Sequence, residues 1–281
     1  MRIGMNYWVW GASFRTDHHL GWVTQVKSLG AELIEFGIQD GTQVDTKALR
    51  RVLENEDLGC TIVAVFGPDS DLSHEDAAVR RRGADLIDRC IEVGAGVGAS
   101  VCTGAMAGVG GKELFTSDVR RARVDRFVEE LGVLGTHAAE GGMLLGIEVL
   151  NRYEANLLNT AQHVREVVDL VDHPAVGIML DTFHMSIEET DVREAVRIAG
   201  DKLIHLQAAD SHRGTPGDGL FPWQELAGGL KDIDYQADVT IECFNWQSDM
   251  AALSHSWRPF AESPEILARD GLAFLKAVLR G

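Results

Sequence analysis

The stretch VGIMLDTFHMSIEETDVREAVRIAGDKLIHLQA, residues 176–208, decides the fold. It opens on a short apolar run, VGIMLD (176–181), and closes on a second, LIHLQA (203–208); between them the spacing predicts a helix over 188–199. Runs of this length suit strands, and strand, helix, strand in succession is the unit of a parallel sheet. Alternation along the second run puts His205 and Gln207 on one face and Ile204, Leu206 and Ala208 on the other. Two polar side chains turned into one interior need partners there, either a hydrogen-bond network or a metal ion.

The same unit recurs along the chain. Strands are expected at 2–6, 32–36, 61–66, 99–104, 144–149, 176–181, 203–208 and 239–243, with helices near 17–29, 45–57, 74–93, 118–139, 160–171, 188–199, 223–232 and 264–279. Ser73 reads as the N-cap of the third helix, with Asp76 three residues on and Leu86, Ile87, Cys90 and Ile91 on one stripe. Ser263 followed by Pro264 opens the last helix. Eight such units in 281 residues, with no linker-like tract, predict an α/β chain folded as one domain over 1–281, a single (β/α)8 TIM barrel rather than a doubly wound sheet. The long connections 104–117, 209–222 and 243–263 all follow strands and so fall on the face where barrels place their chemistry.

A net charge of −17 and a pI near 4.9 oppose the counterion release on which nucleic-acid binding rests, so no nucleic-acid partner is expected. No apolar run reaches the roughly 18 residues of a membrane span, and MRIGMNYWVW lacks a signal-like apolar region, so a cytoplasmic protein without membrane attachment is expected. Cys60, Cys90, Cys102 and Cys243 form no C-x-x-C pair and read as reduced, buried thiols.

The ends of the last four strands carry one polar side chain each: Glu148, Asp181, Gln207 and Glu242. Carboxylates brought that close repel one another unless a cation lies among them. Three acids and one amide oxygen form a hard donor set that suits Mn²⁺ first, with Mg²⁺ and Co²⁺ as alternatives, ahead of Zn²⁺. Held by loop hydrogen bonds, the same four residues need no metal.

The segments IEVLNRYEANLLNT (147–160), LDTFHMSIEET (180–190), HRGTPGDGLFPW (212–223) and IECF (241–244), with EDAAVRRRG (75–83) and SHSWRPF (254–260), resemble the ketose 3-epimerase family, the D-tagatose and D-psicose (allulose) 3-epimerases among the xylose-isomerase-like barrels. The resemblance spans nearly the whole chain. It implies that Glu148, Asp181 and Glu242 bind the metal, with Glu148 and Glu242 also the acid/base pair, and that Glu154, His184 and Arg213 contact the oxygens of a small sugar substrate. It further implies a homodimer or homotetramer. Position 207 departs from the pattern: the epimerases usually carry histidine there, whereas the hydroxypyruvate isomerase branch has glutamine in a similar H-x-Q strand. A metal-dependent C3 epimerase is therefore weighed against an isomerase of a small sugar or hydroxy-oxo acid. DNA repair, which shares the barrel, and a non-catalytic sugar sensor are the more distant readings; the acidic charge opposes the first, and Glu148 with Glu242 the second.

The remaining features have plainer alternatives. His205 reads as a hydrogen-bonded core residue or a ligand, and His184 as a substrate contact or a support for a metal ligand. Asn151 and Arg152 are expected to order the loop after the fifth strand. Tyr7, Trp8 and Trp10 form either an apolar wall for a sugar or a plug at the barrel mouth, and GVGG (108–111) is a weak phosphate-cradle motif. Selectivity is expected from loops 7–15, 36–44, 66–72 and 104–117.

Overall fold

The computed structural model of the protein describes residues 1–11, 14–38, 43–248 and 250–281. Residues 12, 13 and 39–42, in two of the loops expected to set selectivity, lie outside the described residues.

Eight parallel strands close into a barrel in chain order: β1 (Ile3–Asn6), β2 (Leu33–Ile38), β3 (Gly59–Ala64), β4 (Val101–Gly104), β5 (Leu144–Glu148), β6 (Val176–Asp181), β7 (Leu203–Ala208) and β8 (Asp238–Ile241). β8 returns to β1, with Ile3 opposite Val239 and Met5 opposite Ile241. Both faces of such strands are covered, the interior by its own side chains and the outside by helices, so β2 and β6 are buried at every residue and are apolar but for Glu35 in the first and the terminal Asp181 in the second. The (β/α)8 barrel is the expected one, and each expected strand lies within two residues of an observed strand.

The surrounding helices begin on residues whose side chains accept from the first turn. Asp45 caps α2 (Thr46–Asn55), Thr116 caps α4 (Ser117–Glu140), Thr160 caps α5 (Ala161–Val171) and Ser263 caps α10 (Pro264–Arg280). Each such cap contributes about 1 kcal/mol. Between them lie α1 (Thr16–Ser28), α3 (Ala77–Val97), α8 (Trp223–Asp232) and a short α9 (Met250–Leu253).

Two helix starts differ from expectation. Asp76, not Ser73, caps α3, its carboxylate accepting from Ala78 N at 2.8 Å. Ser73 is already engaged, since its N–H and hydroxyl both donate to Asp71, which also pairs with Arg123 at 2.8 Å. The helix expected at 188–199 is α7 (Val192–Ala199), begun where Asp191 caps it, and an unexpected short helix, α6 (Thr182–Glu188), precedes it. Asp181 ends β6 and at once caps α6 through Phe183 N at 2.7 Å, so the chain turns over the barrel mouth without a loop. That turn carries His184 inward.

Candidate active site

The four strand-end residues meet at the C-terminal mouth. Glu148 and Asp181 end β5 and β6, Gln207 sits opposite Asp181 in the β6–β7 register, and Glu242 follows β8 with its N–H on Ala208 O. Asp181, Gln207 and Glu242 are buried and each leaves one oxygen without a hydrogen-bond partner: Asp181 Oδ2, Gln207 Oε1 and Glu242 Oε2. Burial, and then repulsion by Asp181, push both Glu148 and Glu242 well above the usual carboxylate range. Burial pushes Asp181 up to about 6 despite the opposing charge of Arg213. Unpartnered buried oxygens on two acids and an amide fit a cation among them, and the all-oxygen set suits a hard divalent ion.

Atoms of Glu148, Asp181 and His184 also lie within 4.8 Å of one another, which raises the imidazole as a ligand. Its hydrogen bonds assign it another role. Asn151 N at 3.2 Å and Asn151 Nδ2 at 2.8 Å both donate to His184 Nδ1, and the Asn151 orientation is itself fixed because Oδ1 accepts from Tyr153 N. Nδ1 is therefore the acceptor and the ring proton sits on Nε2. Burial and the Arg213 charge hold the ring's pKa well below its usual value, so it stays neutral. Nε2, 3.6 Å from Glu148 and 3.8 Å from Asp181, is an N–H donor aimed into the site rather than a free lone pair.

Arg213 supplies the positive counterpart. Its guanidinium lies between the rings of Phe183 and Phe244, 4.6 and 4.7 Å from their centres, and its Nη1 donates to Glu154 at 2.9 Å while Nη2 lies 3.6 Å from Glu242. Burial alone would lower its pKa, but Glu154, Glu242, Asp181 and Glu148 outweigh that and hold it charged. Thus Glu148, Asp181, Glu242, Glu154, His184 and Arg213 converge as one cluster.

A cavity of about 350 Å³ opens over it, lined by Glu148, Glu154, Arg213 and Glu242 on one side and by Trp8, Val63 and Phe66 among the apolar residues on the other. Of the three early aromatics only Trp8 forms that wall, packed on Phe244 with ring centres 5.3 Å apart. Tyr7 is buried with its hydroxyl on His19, and Trp10 packs on the core with its N–H toward Glu265. The GVGG segment is spent on docking: Gly110 N donates to Glu154 O, Asn156 N to Gly108 O, and a Cβ at Gly111 would lie 2.3 Å from Asn156. Its amides hold the loop that presents Glu154. Arg152 pairs with Glu188 and orders the same loop.

Sequence reasoning passed over Glu35, an acid within the apolar strand ELIEF. It is fully buried beneath the mouth and accepts from Asn6, Thr61, Gln207 and Thr240, with His205 Nε2 2.8 Å away. His205 is thus the core hydrogen-bonding residue of the two readings. The available signal was an acid at a position whose neighbours are all apolar.

The family described as xylose isomerase-like TIM barrel matches residues 23–278, and the chain belongs to it. The D-psicose 3-epimerase of Agrobacterium fabrum is 32% identical over 290 residues, covering 99% of each chain. The L-ribulose 3-epimerase of Mesorhizobium japonicum is 28% identical, covering 98% of this chain and 93% of that one. A solved L-ribulose 3-epimerase superposes with a TM-score of 0.93 at 29% identity, over 99% of this chain and 94% of that one. Within the barrel family the chain therefore sits among the ketose 3-epimerases, an enzyme of the isomerase class.

Proposed function

We propose that the protein inverts C3 of a free ketose by removing the C3 proton on one face and returning a proton on the other. What carries the reading is the pair Glu148 and Glu242: two carboxylates, three strands apart around the barrel, that line one cavity and are both pushed well above the usual carboxylate range by burial and then by Asp181. One glutamate, ionised, takes the proton next to the ketone; the other, protonated, delivers its own to the opposite face of the enediolate. In the reverse direction the roles exchange. His184 Nε2–H donates to an oxygen beside the reacting carbon, Arg213 adds a fixed positive charge, and Glu154 accepts from a hydroxyl, so that the substrate is held for the transfer. A divalent ion, Mn²⁺ before Mg²⁺ or Co²⁺, would be held by Glu148, Asp181, Gln207 and Glu242, and when bound supplies Lewis-acid stabilisation of the developing negative charge.

Gln207 favours a second reading, in which the same glutamates move a proton between adjacent carbons of a small sugar or hydroxy-oxo acid. Incubating a panel of ketoses and hydroxypyruvate with Mn²⁺ in D₂O separates the two. Inversion with deuterium at C3 of a ketose supports epimerisation; an aldose formed from a ketose with its C3 untouched, or the 2-hydroxy-3-oxo acid formed from hydroxypyruvate, supports the isomerase. Full activity of the Glu148→Gln, Glu242→Gln double variant would sink both.

A further inference from the structure

We infer that Glu35 is a positioning residue for Gln207, orienting its amide so that the carbonyl oxygen, not the nitrogen, faces the site. The inference rests on the reading of Gln207 as a metal ligand and adds what makes that ligand competent. A glutamine side chain has two ends of nearly equal shape, and only the oxygen can bind a cation. Something must distinguish them.

Glu35 does so by chemistry. Its carboxylate is ringed by donors, accepting from Asn6 Nδ2, whose own orientation is fixed because Oδ1 takes Trp8 N, and from Thr61 Oγ1 and Thr240 Oγ1. Oε1 lies 2.6 Å from Gln207 Nε2, and an amide turned over would set oxygen against oxygen there. The carboxylate is held in turn. Oε1 also accepts from Asn6 Nδ2 at 2.9 Å and Thr240 Oγ1 at 3.0 Å, while Oε2 accepts from Thr61 Oγ1 at 3.1 Å and has His205 Nε2 at 2.8 Å. These partners come from β1, β3, β7 and β8, and Asn6, Glu35 and Thr61 are successive partners in the β1–β2–β3 register. Glu35 is thus fixed from four other strands and has no rotamer freedom to follow a turned amide. With Nε2 so engaged, Gln207 Oε1 is buried, unpartnered and directed away from Glu35.

Titration with Mn²⁺ alone, following free ion by electron paramagnetic resonance, tests this. Glu35→Met should weaken Mn²⁺ binding by about ten- to a hundredfold. Gln207→Met should weaken it comparably, and the double variant should lose no more than Gln207→Met by itself, because Glu35 acts through that one side chain. Glu35→Gln, which keeps a carbonyl to accept from Nε2, should bind Mn²⁺ within about threefold of the wild type. Losses that multiply in the double variant would overturn the inference and make Glu35 a general structural support. Wild-type affinity in Gln207→Met would instead overturn the ligand reading beneath it. Should Glu35→Met not fold, the decision passes to a wild-type crystal grown with Mn²⁺. Gln207 Oε1 on the ion with Nε2 on Glu35 supports the inference; Oε1 on the ion with Nε2 bonded elsewhere overturns it.

Discussion

On His184 the position of one proton is set by Asn151, whose two N–H groups occupy Nδ1 and leave Nε2 as the donor facing Glu148 and Asp181. Asn151→Asp reverses half of that arrangement: the new carboxylate accepts from Nδ1–H and favours either the other tautomer or a charged ring. The expected outcome is a loss in kcat/KM of roughly ten- to a hundredfold, with thermal unfolding shifted by only a few degrees. The companion residue Arg213 makes a different demand. A lysine keeps the charge but neither the plane that fits between Phe183 and Phe244 nor the fork that reaches Glu154 and Glu242 together. Arg213→Lys should therefore cost about 1.5–3 kcal/mol of transition-state binding, read as a fall in kcat/KM of roughly ten- to a hundredfold. Arg213, Glu154 and His184 could be nominated only by resemblance, because a side chain's partner 59 residues away leaves no local pattern.

Among the elements, the connection between β7 and α8 is the one that places Arg213, and it is organised by Asp210. The carboxylate accepts from Ser211 N, Gly217 N, Phe221 N and Trp223 Nε1, while Asp210 O receives Arg213 N and fixes that residue in the left-handed region at φ 66°. Burial would raise the Asp210 pKa, but the Trp223 and backbone donors hold it below the usual value. A carboxylate depressed on folding stabilises the protein above its unfolded pKa and loses that contribution as pH falls through the folded one. Asp210→Asn is accordingly expected to cost about 1.5–3 kcal/mol in urea unfolding at pH 7, with the difference from wild type narrowing as pH drops from 5 toward 3. A gap constant over that range would count against the carboxylate's role. At this scale the sequence was readable where an apolar run stops at an acid, as at Glu148 and Asp181. It was less so where one residue serves two elements: Asp181 reads as a strand end and is also the cap that starts α6, and Ser73 reads as a cap but is taken by Asp71.

For the whole molecule, a barrel closed in chain order brings residues 148, 181, 207 and 242 to one rim, and the buried acids among them oppose folding until their charge is compensated. Eight recurring strands made that convergence legible beforehand; the polar layer beneath it was not, because Glu35 shares its strand with apolar residues and its partners come from four other strands. The site's repulsion is a cost to stability retained for function, which gives a prediction with two signs. Mn²⁺ at a hundredfold excess over its Kd should stabilise the wild type by about 2.7 kcal/mol, a rise in Tm of roughly 5 °C, reversed by EDTA. Asp181→Asn keeps an oxygen to cap α6 while removing one of the repelling charges. In EDTA this variant should melt at or above the wild-type Tm, and added Mn²⁺ should raise it by far less. Differential scanning calorimetry of both proteins, with and without Mn²⁺, decides the matter: a variant that melts lower in EDTA yet keeps the full Mn²⁺ increment would show that Asp181 is neither a source of strain nor a ligand.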